Sequence, residues 1–230
     1  MLKISGESLS GNNEQGFDFD ILKDLSDNIK ILAEKGLSIS IVLGGGNFIR
    51  GSSFSNGVVD RVTSDYMGML GTVINSLALQ SNLEKIGVPS RVMSAISINR
   101  VAEPYIKNKA SRHLEKNRVV IFASGTGNPF FSTDTAAVLR ASEMKSDIIF
   151  KGTKVDGIYE DDPTKNPNAK KIPEISYSEY LNRDIKVMDS TAISLAKDRS
   201  IPIIIFSIMK KSNIVDIVEG KGNFSIIRSE

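Results

Sequence analysis

The chain has 230 residues, a formal net charge of +2 and no cysteine. Its hydrophobic fraction of 40% and charged fraction of 24% are typical of a soluble globular α/β protein, so we predict one domain over residues 1–230. The small net charge does not favour a nucleic-acid or membrane partner, and the lack of cysteine excludes disulfides and thiolate nucleophiles. With no membrane-length apolar run and no signal-peptide pattern, we expect a cytoplasmic protein.

Helical patterns alternate with short β-branched runs, which predicts a three-layer αβα sandwich with a mostly parallel central sheet. The predicted helices run from an N-cap at Asp20 to Gly36, then over 64–85, 101–116 with Pro104 in the first turn, 134–144 and 189–199. The predicted strands are 37–43, 88–95, 118–124, 147–151, 201–207 and a last edge strand at 224–228. Residues 155–175 are rich in turn-forming pairs and predict a long functional loop.

Three glycine-bearing turns follow predicted strands, at residues 3–7, 44–51 and 125–134. Ligands of open α/β sheets bind at the carboxyl ends of strands, where glycine lets backbone amides approach a phosphate. Lys3, in the first turn, could place its ammonium on a phosphate; a solvated lysine beside a turn is the alternative. Arg50, in the second turn, could neutralise charge on a transferred group.

The second and third turns each leave an alternative open. Gly44-Gly45-Gly46 is costly to order, which favours phosphates resting on the backbone, although a sharp turn with positive φ is also possible. Phe130 and Phe131 could flank a base or anchor their loop to the core. The one histidine, His113, has the neighbours of a helix surface, so we expect it to be an ordinary surface or half-buried residue.

Several common motifs are absent from the sequence. There is no Gly-x-x-x-x-Gly-Lys-Ser/Thr loop, which excludes the P-loop nucleotide kinases. There is also no complete Gly-x-Gly-x-x-Gly dinucleotide motif and no Gly-x-Ser-x-Gly nucleophile elbow. Since the chain has no cysteine and its one histidine is expected to be ordinary, any chemistry must use lysine, arginine, aspartate and backbone amides.

The order of the remaining motifs carries a resemblance to a known family. The segments are Lys3 to Glu7, Gly44 to Gly51, Asp60 to Met69, Gly125 to Asp134, Thr153-Lys154-Val155-Asp156-Gly157 and Lys186-Val187-Met188-Asp189. Together they resemble the uridylate kinase branch of the amino acid kinase family over essentially the whole chain. The Gly-Thr-Gly-Asn-Pro-Phe-Phe run is specific to that branch, whereas Lys-Val-Asp-Gly is shared more widely.

The resemblance implies a role for each matching residue. The ATP-binding residues it implies are Lys3, Ile4, Ser5, Gly6, Gly46, Arg50, Thr153, Tyr159 and Asp162. The UMP-binding residues it implies are Gly45, Asp65, Thr126, Gly127, Asn128, Pro129, Phe130, Phe131, Ser132 and Thr133. We name Lys3, Arg50 and Asp189 as catalytic residues, and we expect Asp156 and Asp189 either to orient lysines or to serve as turn and cap residues.

The resemblance also implies partners and regulation. It implies Mg²⁺ brought with ATP and no metal site in the protein, a homohexamer, inhibition by UTP, and activation by GTP through Gly11, Gly16, Phe17 and Asp18. The UMP-binding part is expected at about residues 1–145 and the ATP-binding part at about 146–230. The departures from the family pattern include Gly152 in place of an alanine, and Ser207-Ile208-Met209-Lys210-Lys211 in place of Asn-Met-Asn-Lys-Pro.

Two rival functions are weighed against this one. Another member of the superfamily would phosphorylate a carboxylate or carbamate, but should lack the segment from Gly127 to Phe131. A non-catalytic nucleotide sensor would be favoured if Lys3 or Arg50 were absent, and both are present. The sequence therefore favours a kinase that acts by positioning and charge stabilisation.

Overall fold

The structure is a computed structural model that describes residues 1–49, 58–161, 163, 165–166 and 168–229. In those residues the strands are β1 Leu2–Ile4, β2 Ser40–Leu43, β3 Ser90–Ser94, β4 Glu103–Pro104, β5 Val119–Ala123, β6 Ile149–Thr153, β7 Ile158–Tyr159, β8 Lys171–Ile172, β9 Glu174–Ser176, β10 Ile203–Ser207 and β11 Phe224–Arg228. The helices there are α1 Gly6–Leu9, α2 Phe19–Glu34, α3 Arg61–Lys85, α4 Lys107–Glu115, α5 Thr133–Met144, α6 Tyr177–Asn182, α7 Ser190–Arg199 and α8 Asn213–Val218. None of these helices is long and apolar enough to cross a membrane.

The main sheet has the strand order β4-β3-β5-β2-β1-β6-β10-β11-β9. From β4 to β10 every neighbouring pair is parallel, whereas β10 and β11 pair antiparallel. Although β1 has only three residues, it lies at the centre of the sheet between β2 and β6. Because the central strands are parallel, their carboxyl ends share one edge, and the three glycine-bearing turns lie along it.

Helices cover both faces of this sheet. Side chains alternate between the faces along each strand. Ile41 and Leu43 of β2 therefore pack in one core with α2, α3 and α8, and Val42 packs in the other with α4, α5, α6 and α7. This arrangement confirms the predicted three-layer αβα sandwich.

The structure corrects three sequence predictions about the ends or positions of elements. Asp18, rather than Asp20, caps the first long helix, because its carboxylate accepts hydrogen bonds from the amides of residues 20 and 21. Pro104 lies in the two-residue edge strand β4, where its missing N–H costs little, and α4 begins only at Lys107. The strand at 224–228 is internal, because β9 forms the sheet edge beyond it.

Candidate active site

Two lysines and one aspartate form a buried charge cluster at the centre of the sheet. The parallel pairing of β1 with β6 places Lys3 directly beside Lys151. Asp134, in the first turn of α5, lies between them: its Oδ1 is 2.7 Å from Lys3 Nζ, and its Oδ2 accepts a hydrogen bond from Lys151 Nζ. Lys151 Nζ also donates to the carbonyl of Val187 at 2.6 Å. Each lysine side chain is only 5% exposed, so Lys3 is not a solvated surface lysine.

The charges of this cluster do not balance. Burial by itself would raise the pKa of Asp134, but the charges of Lys3 and Lys151 outweigh it and lower that pKa to about 2. Burial, and then the charge of Lys3, lower the pKa of Lys151 from 10.5 to about 8, although Asp134 acts in the opposite direction. With both lysines protonated, two cations share one carboxylate away from water. A bound anionic phosphate would balance that excess positive charge.

The sequence-based site contained Lys3 but neither Asp134 nor Lys151. Asp134 has the position of an ordinary acidic residue in the first turn of a helix, where it needs no special explanation. A signal for Lys151 was present nonetheless, because it interrupts the apolar start of β6, and a fully buried lysine is rare unless it is paired. The same argument applies to Lys3 between two apolar residues of β1.

Asp189 caps α7 and also fixes the start of α5. Its Oδ1 accepts from the Ala192 amide at 2.9 Å and from Thr135 Oγ1 at 3.1 Å, and its Oδ2 accepts from Ser132 Oγ. Ser132 Oγ in turn accepts from the amide of Asp134 at 3.0 Å. Asp189 was expected either to orient a lysine or to cap a helix, and in the structure it caps α7. The residue that orients Lys3 and Lys151 is Asp134.

The three consecutive glycines allow close backbone packing. A Cβ on Gly44 would lie 2.7 Å from Gly6 N, one on Gly45 would lie 2.4 Å from Gly68 O, and one on Gly46 would lie 3.1 Å from Glu7 Cγ. None of the three has a positive φ, so the alternative of a sharp left-handed turn is wrong. The second turn is instead packed between the first turn and α3, with no room for side chains facing them.

A cleft of about 160 Å³ lies between the second turn, the third turn and α3. Its lining consists of Gly45, Gly46, Ile49, Ser64, Asp65, Gly68, Met69, Thr72, Gly125, Thr126, Phe131 and Thr133. The structure thus brings together five of the residues predicted to bind UMP, namely Gly45, Asp65, Thr126, Phe131 and Thr133, with Gly46 from the ATP set. Because Thr133 lines the cleft, a bound ligand would lie next to the first turn of α5, which carries Asp134.

Asp65 fixes the third turn from the side of α3. Its Oδ2 accepts from the amide of Phe130 at 2.7 Å, and its carboxylate also pairs with Arg61 Nε at 3.0 Å. Phe130 has a φ of +71°, a left-handed conformation that a non-glycine residue rarely adopts. Phe130 and Phe131 are 67% and 53% exposed, so they do not anchor the loop to the core and remain available to a ligand.

Two further residues assigned to ATP are described: Thr153 is the last residue of β6, and Tyr159 lies in β7. The Thr153 carbonyl accepts from the Ile208 amide at 3.0 Å, and Tyr159 OH donates to Asp156 Oδ1 at 2.6 Å. Asp156 does contact a lysine, because Lys171 Nζ donates to the Asp156 carbonyl at 2.8 Å and lies 3.4 Å from its Oδ2. Unlike Lys3 and Lys151, Lys171 lies in a partly exposed cluster. Arg50 and Asp162 lie outside the described residues.

The two departures from the family pattern touch each other. A Cβ on Gly152 would lie 2.3 Å from Ile208 Cγ2 and 2.6 Å from Ile4 Cδ1. The branched side chain of Ile208 thus occupies the space that an alanine methyl group would need. The lack of a side chain at Gly152 thus accommodates Ile208, and the backbone beside Lys151 keeps its register with β1.

The segment assigned to GTP binding joins the two sides of the site. The Gly11 carbonyl accepts from Lys154 Nζ at 2.9 Å, next to β6. At the other end, the Gly16 amide donates to the Asn47 carbonyl at 3.0 Å, and Asn47 Nδ2 donates back to the Gly16 carbonyl at 2.8 Å. Phe17 packs edge-on against Phe48, with ring centroids 5.3 Å apart.

Comparison with known proteins places this geometry in a family. The model of the amino acid kinase family matches residues 1–207. The chain is 54% identical to the uridylate kinase of Wolbachia pipientis wMel and 49% identical to that of Rickettsia typhi (strain ATCC VR-144 / Wilmington). Each alignment covers 99% of this chain, with 92% and 93% of the respective relatives.

Solved structures agree with the sequence relatives. The UMP kinase from Ureaplasma parvum superposes with a TM-score of 0.94 at 40% identity, covering 99% of this chain and 97% of that one. The UMP kinase from Bacillus anthracis superposes with a TM-score of 0.95 at 36% identity, covering 100% and 95%. The chain belongs to the amino acid kinase family.

Proposed function

We propose that this chain is a uridylate kinase, which transfers the γ-phosphoryl group of ATP to UMP and releases UDP and ADP. The reaction supplies pyrimidine nucleotides for UTP and CTP synthesis. The uridylate kinases with which it shares about half of its residues support this reaction. The single observation that carries it is the buried Lys3–Asp134–Lys151 cluster beside a glycine-lined cleft. Cations fixed in a buried site stabilise the negative charge on a transferring phosphoryl group.

In the proposed arrangement, UMP binds the N-terminal part, about residues 1–145, and ATP binds the C-terminal part, about residues 146–230. Asp65 and the turn 126–133 hold the UMP nucleoside, with Gly45 at its phosphate. Thr153, Tyr159 and Asp162 hold the ATP nucleoside. Residues 3–6, Gly46 and Arg50 lie at the phosphates between the two.

The reaction needs little covalent assistance. A phosphate oxygen of UMP attacks the γ-phosphorus of ATP in line, and the bond to the β,γ-bridging oxygen breaks to leave ADP. Lys3 and Arg50 stabilise negative charge on the transferring group, while Lys151 and Asp134 hold Lys3 in place. Asp189 acts more remotely, because it fixes the helix start that carries Asp134. The rate enhancement thus comes from positioning and electrostatics.

Mg²⁺ fits this site as a companion of ATP. Among the described residues there is no group of three or more His, Cys, Asp or Glu side chains that could hold a metal ion. Kinases commonly hold Mg²⁺ through substrate phosphates with few protein ligands, so an ion brought with ATP would not need such a group. When bound, Mg²⁺ would neutralise phosphate charge, and Lys3 and Lys151 would provide the cations fixed in the protein.

The proposed assembly is a homohexamer. Val62, Tyr66, Leu70 and Ile74 recur every four residues on the outer face of α3 and are 39–49% exposed. Such an apolar stripe suits contact with a second copy of the chain. Light scattering tests the hexamer. We further propose that GTP activates the enzyme at Gly11, Gly16, Phe17 and Asp18 and that UTP inhibits it, and effector titrations test both.

The test of the reaction is ADP release with Mg-ATP and a panel of acceptors: UMP, CMP, dTMP, AMP, aspartate, glutamate and carbamate. Turnover with UMP and not with the amino acids or carbamate is expected. Turnover with a carboxylate or carbamate instead would retain the fold and refute the acceptor. Nucleotide binding without turnover of any acceptor would favour the sensor function.

A further inference from the structure

The inner face of α3 holds both turns that border the cleft. Asn75 is fully buried, and its Nδ2 donates to the Gly44 carbonyl at 2.6 Å. One turn earlier, Thr72 is 1% exposed, and its Oγ1 accepts from the Ser124 amide at 2.7 Å. The second turn and the third turn, which come from different strands, are thus fastened to a single helix.

The contact to the second turn is reinforced by a reciprocal amide pair. Asn47 Nδ2 donates to Asn75 Oδ1 at 2.9 Å, and Asn75 Nδ2 donates to Asn47 Oδ1 at 2.7 Å. Asn47 is itself only 1% exposed. Buried amides are costly unless they are satisfied, so this network fixes Gly44-Gly45-Gly46 against α3 in one arrangement.

The contact to the third turn falls at a strained point of the backbone. Ser124 has a φ of +64° and is followed by Gly125 at +57°. A left-handed conformation at a non-glycine residue must be held by its surroundings. Thr72 Oγ1 supplies one such contact, because it accepts the Ser124 N–H where the chain leaves β5 for the cleft.

We propose that Thr72 and Asn75 are positioning residues of the phosphate acceptor: they set the distance between the two turns that hold UMP. This inference rests on the proposed uridylate kinase function. Neither residue needs to touch UMP through the atoms that make these bonds. Loss of the Thr72 bond frees the third turn, whose residues 126–133 are all assigned to UMP, so binding of the acceptor suffers while the ATP side stays intact. Loss of the Asn75 bond moves the second turn, which carries Gly45 of the UMP set and Gly46 of the ATP set.

A purely structural role would give a different result, and α3 contains a matched control. Ser76 is fully buried one turn after Thr72, and its Oγ donates to the Thr72 carbonyl at 2.7 Å, within the helix. Ser76→Ala therefore removes a buried hydroxyl from the same helix without touching either turn. Thr72→Val keeps the shape of Thr72 but lacks the acceptor, whereas Thr72→Ser restores it.

The experiment measures the KM values for UMP and ATP, the thermal unfolding midpoint and the amide exchange rate of Ser124 in these variants. We expect Thr72→Val to raise the KM for UMP about tenfold and to speed Ser124 exchange by a similar factor. The KM for ATP should change less than about twofold, because the lost bond lies on the acceptor side. Thr72→Ser and Ser76→Ala should keep near-wild-type values of both constants. Thr72→Ala, which also lacks Oγ1 and favours helix, replaces Thr72→Val if the latter does not fold.

Equal increases in the two KM values, or the same UMP defect in Ser76→Ala, would overturn the positioning role. The exchange rate separates this failure from failure of the proposed function, because it requires no substrate. If the wild-type enzyme does not use UMP but Ser124 exchange accelerates in Thr72→Val, the proposed reaction is refuted, and the Thr72–Ser124 hydrogen bond still holds the third turn. Unchanged Ser124 exchange would show that the Thr72–Ser124 hydrogen bond does not hold the third turn, whatever the acceptor is.

Discussion

The site contains two lysine–aspartate clusters, and they differ mainly in burial. The inner cluster joins Lys3, Lys151 and Asp134, whose side chains are 5–12% exposed. The outer cluster joins Lys171 and Asp156, with exposures of 21% and 37%. Asn223 bridges the outer pair: Lys171 Nζ donates to its Oδ1 at 2.5 Å, and its Nδ2 donates to Asp156 Oδ2 at 2.6 Å.

The difference shows which charges can act on a substrate. In the outer cluster, burial opposes ionisation of Asp156, and hydrogen bonds from Tyr159 and Lys171 offset it, so the pKa is lowered while water still screens the charges. In the inner cluster, the excess charge is not screened by water, so each group depends on the others. We therefore expect the inner cluster to control phosphoryl transfer and the outer cluster to hold the segment between Asp156 and Lys171 in place.

Asp134→Asn should have the largest effect on the inner cluster. It leaves two buried ammonium groups without a counter-charge, so unfolding free energy should fall by about 3–5 kcal/mol. Turnover should fall by at least about 10²-fold, because Lys3 loses its orientation. Urea denaturation and ADP release measure the two effects. Asp156→Asn is the control, and an equal loss of stability in both variants would contradict the distinction between the clusters.

The titration of Lys151 tests the charge coupling directly. Its pKa of about 8 lies below the ordinary 10.5, so the folded state binds fewer protons than the unfolded state between those values. This group therefore costs stability below pH 8, and that cost is relieved as pH rises towards 10.5. NMR of ¹³Cε-labelled lysine should show an upward shift of this pKa in Lys3→Met, because the neighbouring cation is removed. An unchanged titration would mean that the two ammonium groups do not interact.

Gly152→Ala should cost about 1–3 kcal/mol of unfolding free energy, because the new methyl group overpacks against Ile208 and Ile4. Ile208→Met removes the Cγ2 branch that occupies this space. The double variant should therefore recover part of the loss, because the contact with Ile4 remains. Urea denaturation of all four proteins gives the coupling energy. Strict additivity of the two substitutions would show that they are not compensating.

Tyr159→Phe should have the smallest effect, because it removes one hydrogen bond from the partly exposed outer cluster. We expect the KM for ATP to rise about two- to fivefold with little change in kcat, consistent with loss of one modest hydrogen bond. Steady-state kinetics with each substrate varied in turn measure this. The control is Glu174→Gln, which breaks an exposed ion pair between β9 and β11 and should leave both constants unchanged.

Local sequence patterns predicted the fold well. Strong periodicity and caps located α2, α3, α5 and α7 to within a few residues, and the alternation of elements gave the αβα sandwich. The short helices α1, α6 and α8 were missed, because four to six residues are too few to show a helical period. Pro104 was wrongly assigned to a helix, because proline is accepted both in the first turn of a helix and on an edge strand, and the local sequence does not distinguish the two.

The site was only partly predictable, because its key contacts are long-range. Glycine-bearing turns can be recognised locally, so the second and third turns were identified. The partnership of Asp134 with Lys3 and Lys151 depends instead on the parallel register of β1 and β6 and on the position of α5. The packing of Gly45 against the Gly68 carbonyl likewise appears only once α3 is placed.

The most direct test compares Lys3→Met with Lys171→Met in one UMP-dependent ADP-release assay, with thermal unfolding measured alongside. Lys3→Met leaves a balanced Lys151–Asp134 pair, so we expect a folded protein whose kcat is lower by at least about 10²-fold. Lys171→Met should retain kcat within about threefold, because its cluster is partly exposed and screened. Similar kcat losses in the two variants, or a folded Lys3→Met enzyme with wild-type turnover, would contradict the role assigned to the buried cluster.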